Sequence, residues 1–218
     1  MNTLRSLLLL LALSAGSVHA ASPSPASPEP KTGATSVVLL GDSLSAAHQM
    51  DDDAGWVALL ERRLATATST PPRIHNASRG GKTLTEGLAE LPALLDAHRP
   101  DVVIIELGGN DAILGAPSGE LLANLSSVID LAGSTGATVV LLGFVIPPAF
   151  DKDGSADTLQ AVYAQAAADK QVVLLPSLLA GISEDPTLLQ DDNIHPNAAA
   201  QPRVLENAWP TLAPLLLN

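Results

Sequence analysis

Apolar residues fall along this chain in two alternating patterns. Short runs rich in Val, Ile and Leu occupy 37–40, 102–107, 139–142 and 172–175. Between them lie longer stretches with apolar residues three and four apart. These are 56–64, 84–95 (Leu88, Leu91, Leu94 and Leu95 on one face), 121–131 and the Ala-rich 158–168. Unbroken runs suit strands buried on both faces, and the longer spacing suits helices that cover them. Residues 74–76, after a Pro pair, supply a fifth strand. The tail from Gln201 has helical spacing that Pro210 and Pro214 are expected to break or kink. Strands alternating with helices, joined by right-handed crossovers, predict an α/β fold: a three-layer α/β/α sandwich around a five-stranded parallel sheet.

Ligand sites in open parallel sheets lie beyond the carboxyl ends of the strands. The first strand runs into "GDSLS" (41–45), the second into "NASRGGKT" (76–83) and the third into "GGND" (108–111), while "DDNIHPN" (191–197) precedes the last helix. One rim therefore collects a hydroxyl, glycine N–H groups, an amide and an Asp–His pair. Serine is a weak nucleophile and needs a base. His195 ionises near neutrality, and Asp192, three residues earlier, can hold its other ring nitrogen. The anionic tetrahedral intermediate of acyl transfer needs fixed donors. The Ser43 N–H, the N–H of Gly81, which has no Cβ to obstruct approach, and the Asn110 side chain can supply them. Each segment alone has a plainer reading: a tight turn at Gly41–Asp42–Ser43, a helix cap at Asn110–Asp111, a cap before Pro196. Their joint occurrence at successive strand ends selects catalysis. Asp191 reads as a solvated neighbour of the pair.

These four segments, in this order, resemble the sequence blocks of the SGNH hydrolases, also called GDSL esterases or lipases. The closest likeness is to the exported bacterial subgroup with acyl-CoA thioesterase, arylesterase and lysophospholipase activity. The resemblance spans about residues 36–218. It implies a flavodoxin-like sheet, Ser43 as nucleophile, Asp192 and His195 as its partners, and an oxyanion hole of Ser43, Gly81 and Asn110, with no cofactor and no metal. Three positions depart from the pattern. Asn193 stands where many relatives have Gly, the Gly80–Gly81 doublet shifts the second donor by one position unless "NAS" is aligned without a gap, and Lys82 brings a cation to the border of the site. Residues 112–120 and 145–155 are expected to shape the acyl pocket, with Leu114 and Ile146 lining it for short to medium linear chains.

Composition narrows the partners. The chain has 218 residues and a net charge of −12, which disfavours nucleic acid and anionic membranes. It has no Cys, which removes thiolate nucleophiles, Cys–zinc sites and a lipoprotein anchor. Residues 1–20 carry Arg5, a short Leu-rich run and Val18–His19–Ala20. That is the layout of a cleaved secretory signal, too short to span a bilayer. The Pro/Ser/Ala stretch 21–35 reads as a tether, and 36–218 as one domain. The expected protein is exported, periplasmic or secreted, monomeric and without a stable membrane anchor. It acts on a small acyl ester or thioester, including lysophospholipids. Asp51, Asp52 and Asp53 lack the spacing of a calcium loop and read as solvated acids. His48, His75 and His98 carry no assigned role. Two other classes remain. A dinuclear metallophosphoesterase lacks its several His ligands here, and a glycan-binding module is short of platforms, with two Trp, two Phe and one Tyr.

Overall fold

The computed structural model describes residues 34–151 and 153–217. The expected signal segment and nearly all of the tether lie outside them. Five strands, β1 (Ser36–Gly41), β2 (Arg73–Asn76), β3 (Val102–Glu106), β4 (Thr138–Leu142) and β5 (Val173–Leu175), form one parallel sheet in the order β2-β1-β3-β4-β5. The helices are α1 (Trp56–Ala67), α2 (Leu84–His98), α3 (Gly109–Ile113), α4 (Ser118–Gly133), α5 (Ser155–Lys170) and α6 (Gln201–Leu216). α1 packs against α6, while α2, α4 and α5 pack in a row, giving the two outer layers of the α/β/α sandwich.

The central strands are apolar throughout because water reaches neither face. Val37–Leu40, Val102–Ile105 and Val139–Leu142 are all buried. The edge strands are shorter and more exposed, and β2 reads Arg-Ile-His-Asn. The chain leaves β1 for β2 on one side, then returns to β3 on the other. That reversal opens a crevice beyond the ends of β1 and β3.

The tail helix departs from expectation. α6 runs unbroken through Pro210 and Pro214. Each proline forfeits a backbone hydrogen bond, but Val204, Leu205, Ala208, Leu212 and Leu216 form a buried stripe that holds the helix down. Its outer side is tied to α1 by Arg63, which sits 3.9 Å over the Trp209 ring and 2.6 Å from Glu206.

Gly143 ends β4 by donating its N–H to the Leu175 carbonyl at 2.7 Å. A Cβ there would collide with the Pro176 carbonyl oxygen and lie 3.0 Å from that of Leu175. Backbone atoms cannot step aside as a side chain can. Gly143→Ala is expected to destabilise by about 2 kcal/mol, a fall in Tm of roughly 4–8 °C by calorimetry.

Candidate active site

The crevice at the strand ends gathers the predicted residues. His195 Nε2 lies 2.8 Å from Ser43 Oγ, and its Nδ1 lies 2.7 Å from Asp192 Oδ2. The other Asp192 oxygen accepts the backbone N–H groups of Ile194 and His195, both at 3.0 Å. The carboxylate is thus fixed before it meets the ring. Burial pushes the Asp192 carboxyl up, but these N–H donors and the ring outweigh it and hold the group below the ordinary range. His195 is held below 6.5, chiefly by burial and further by the neighbouring His48, against the pull of Asp192.

The loop that carries the pair is braced from both ends. The Gln190 N–H donates to the His195 carbonyl at 2.8 Å, and Asn193 turns the chain with φ +59°. Asn tolerates this left-handed conformation better than most residues, so the substitution for Gly leaves the turn intact. Gln190 Nε2 bridges the carbonyls of His48 and Pro196 at 2.9 and 3.2 Å. Buried Gln201 joins the Pro196 carbonyl to the N–H of Trp56 at the start of α1. These amides pin a segment near the chain end to the loop after β1.

The donor side is more constrained than the sequence suggested. Gly81 lines the crevice with Gly80 and has φ +73°. A capping box between Thr83 and Glu86 starts α2 directly behind it. Asn110 sits in the first turn of α3, and its amide donates to Asp42 Oδ2 at 2.9 Å and to the Lys82 carbonyl at 3.1 Å. Both amide hydrogens are therefore already directed to acceptors at the crevice floor. Asp111 accepts the Leu84 N–H at 3.0 Å, which ties α3 to the start of α2.

Several expectations are corrected. Lys82 does not border the cleft with its charge. The side chain is 1% exposed, and Nζ turns to Glu90 at 2.6 Å and to the Ala77 carbonyl. Leu114 and Ile146 do not line the crevice. Its volume is about 270 Å³, and its apolar lining is Leu44, Ile113, Phe144 and Ile194. Residues 109–113 are helical, so Ile113 turns inward while Leu114 points out, 77% exposed. Phe144 takes the inward place after β4 and Ile146 joins the core. Leu114 lines a separate depression of about 470 Å³, which meets the crevice at Ile113. His48, given no role from the sequence, lines the crevice, its ring 4.0 Å from that of His195. His75 and His98 stack on each other at 3.8 Å.

Asp42 and Glu106 escaped the sequence reading altogether. Both carboxyls are buried below Ser43, at the ends of β1 and β3. Glu106 Oε2 accepts from Ser45 Oγ at 2.9 Å and from the Asp42 N–H at 3.3 Å, and Asp42 Oδ1 accepts the Leu44 N–H at 3.0 Å. Among the described residues, no Lys, Arg or His side chain bonds to either carboxyl. Burial raises Asp42 to about 6. Burial and the charge of Asp42 raise Glu106 well above the usual range. A buried acid at the end of a strand is a recognisable signal at this rim, although the letters do not show that two such acids meet.

A hydroxyl, an imidazole and a carboxylate stand in line at the switch point of a parallel three-layer sheet, an arrangement suited to ester hydrolysis. Residues 39–202 match the GDSL-like lipase/acylhydrolase family, and the chain belongs to that family as a carboxylic ester hydrolase. It is 44% identical over 186 residues to esterase TesA of Pseudomonas aeruginosa, covering 85% of this chain and 92% of TesA. The crystal structure of TesA superposes with a TM-score of 0.79, over 84% of this chain and 100% of that one. Thioesterase 1/protease 1/lysophospholipase L1 of Escherichia coli is 35% identical over 183 residues, 84% of this chain and 86% of that one. A crystal structure of the psychrotrophic esterase EstA from Pseudoalteromonas, inhibited by monoethylphosphonate, gives a TM-score of 0.78 at 29% identity, covering 84% of this chain and 100% of that one.

The buried carboxyl pair should leave a pH signature in stability. In the unfolded chain both groups ionise near 3.8 and 4.5, while the folded pair holds its protons to higher pH. Stability from this difference is complete below about pH 4 and is lost as pH rises through the folded values, first that of Asp42 at about 6. Glu106→Gln stays neutral throughout. Its Tm should gain on wild type between pH 4 and 8, and parallel Tm–pH curves for the two proteins would contradict the raised pKa of Glu106.

Proposed function

We propose that the protein is an exported serine hydrolase that cleaves carboxylic esters and thioesters through an acyl-enzyme on Ser43. The observation that carries this reading is the pair of hydrogen bonds made by His195, 2.7 Å to Asp192 and 2.8 Å to Ser43, across 152 residues of sequence. Ser43 Oγ attacks the acyl carbonyl as His195 Nε2 takes its proton. Asp192 holds the imidazolium that forms. The oxyanion develops against the N–H groups of Ser43 and Gly81 and an amide hydrogen of Asn110, which turns from one of its resting acceptors. Collapse breaks the bond to the leaving oxygen or sulfur, and His195 returns the proton to it. Water then attacks the acyl-enzyme with His195 again as base, and Ser43 regains its proton.

The apolar lining favours an aliphatic acyl group over a charged one, and the crevice volume lies near the low end for small-molecule sites (roughly 300–1,000 Å³). A longer chain has room across Ile113 towards the depression at Leu114 and Leu121. The esterase, thioesterase and lysophospholipase names of the relatives suit this breadth, because all three substrates present the same carbonyl. Export rests on the basic, apolar and small-residue layout of residues 1–20.

Three outcomes test the reading. Ser43→Ala should abolish both hydrolysis of p-nitrophenyl esters and labelling by a fluorophosphonate, and a variant that still turns over would remove Ser43 from the mechanism. Asn110→Ala should lower kcat by about 10²–10³ with KM little changed. The rate should also fall on acidification. A neutral imidazole is the active form and His195 is held below 6.5, so kcat/KM should stay near its plateau at pH 7 and drop only below that value. A profile flat to pH 4 would exclude a histidine base.

A further inference from the structure

We propose that His48, His195 and Asp192 form an inhibitory binding site for a divalent transition-metal ion, Zn²⁺ foremost, on the catalytic base itself. The proposal rests on the reading of His195 as that base. One ligand atom from each of the three residues lies within 4.8 Å of the other two, and all three side chains are half-buried. The His48 ring is 4.0 Å from the His195 ring, tilted by 30°. This proximity is built into the fold. Gln190 Nε2 holds the His48 carbonyl, and the Gln190 backbone N–H holds the His195 carbonyl. A single residue thus clamps the backbones that carry both imidazoles.

The donor set chooses the ion. Two imidazoles and one carboxylate suit Zn²⁺ and Cu²⁺, whereas Mg²⁺ and Ca²⁺ require oxygen-rich shells. A tetrahedral ion with bonds of about 2.0–2.2 Å sets its ligand atoms roughly 3.3–3.6 Å apart. The atoms must therefore close in by about an ångström, and the His48 ring must turn so that its lone pair converges with that of His195. Rotation about the last torsion of a histidine is soft. His48 and His195 both line the crevice, which gives an ion a route in.

Occupancy disables the base whichever nitrogen binds. Taking Nε2 removes the acceptor for the Ser43 proton. Taking Nδ1 puts the ion between the ring and Asp192 and replaces the hydrogen bond that steers the ring. No bond of substrate or protein is made or broken, so removal of the ion restores the enzyme. The site is a single-ion site. It lacks the second ligand set that a dinuclear phosphoesterase uses to hold both the attacking and the leaving oxygen.

The test uses the full chain in metal-free buffer, with p-nitrophenyl butyrate as reporter. Zn²⁺ should inhibit wild type reversibly, EDTA should restore the rate, and Mg²⁺ or Ca²⁺ at the same concentration should have no effect. In His48→Phe, half-inhibition measured against that variant's own metal-free rate should need roughly 10–100-fold more Zn²⁺. Calorimetry supplies a readout independent of turnover: Ser43→Ala should bind one Zn²⁺, and Ser43→Ala/His48→Phe should bind it with affinity lowered by the same factor. Equal Zn²⁺ sensitivity with and without His48, equal inhibition by Ca²⁺, or activation by Zn²⁺ would each overturn the proposal. Absence of ester turnover in metal-free buffer would instead overturn the hydrolase reading and leave the calorimetric result to decide the site.

Discussion

Two buried carboxyl groups, Asp42 and Glu106, set the floor of this crevice, and burial raises the pKa of both. Asp42 and Glu106 end adjacent strands, and their backbones lie in register, with Gly41 opposite Glu106. Two ionised carboxylates so placed, with no cation against them, would repel across a medium of low dielectric. That repulsion adds to burial in raising the pKa of Glu106, and the pair presents acceptors to the groups above: Asp42 to the N–H of Leu44 and the amide of Asn110, Glu106 to the hydroxyl of Ser45. The Ser43 turn and the start of α3 therefore hang from the same pair. Gly41 is part of this arrangement, since a Cβ there would come within 2.6 Å of Ser78 Oγ and 3.0 Å of Glu106 Oε2.

Parallel topology explains why residues from four separate segments can meet. Every strand ends on the same rim, and the order reversal at β1 and β3 parts the connecting loops. Topology brings the last loop only to the right pole. The remaining alignment, from several ångströms to a 2.8 Å hydrogen bond, is the work of side-chain amides. Gln190 and Gln201 reach from the His195 loop to the loop after β1 and to the start of α1. Asn76 does the same from β2, donating to the Ser45 carbonyl at 2.8 Å. The contact between Ser43 and His195 is thus braced by neutral donors of fixed reach.

The parts of this architecture written in short-range pattern were legible. Val37–Leu40 and Val102–Ile105 read as buried parallel strands because an unbroken apolar run has no solvent face. Asp192, Asn193 and His195 read as one unit because three residues form one turn. What the sequence hid depends on orientation or distance. Whether Leu114 or Ile113 faces the acyl group depends on residues 109–113 being one helical turn, too short for a period to show. His48 lies five residues past Ser43, and only the fold of that loop brings it to His195. Lys82 looks like a cation beside the oxyanion donors until its long side chain is seen folded back onto Glu90. Pro210 and Pro214 argue locally against a helix that the packing of its inner stripe preserves.

The carboxyl pair also bears on the chemistry at the donor side. An acid that orients Asn110 through its amide places a negative charge near the developing oxyanion, where repulsion would raise the barrier. Full neutralisation of Asp42 would weaken its grip on the amide, because hydrogen bonds to ionised acceptors are stronger and better aligned. Burial sets the balance by raising Asp42 to about 6, while one of its oxygens continues to hold Asn110. In the proposed mechanism the charge of Asp42 matters least while the crevice holds only neutral substrate, and most when negative charge gathers on the carbonyl oxygen.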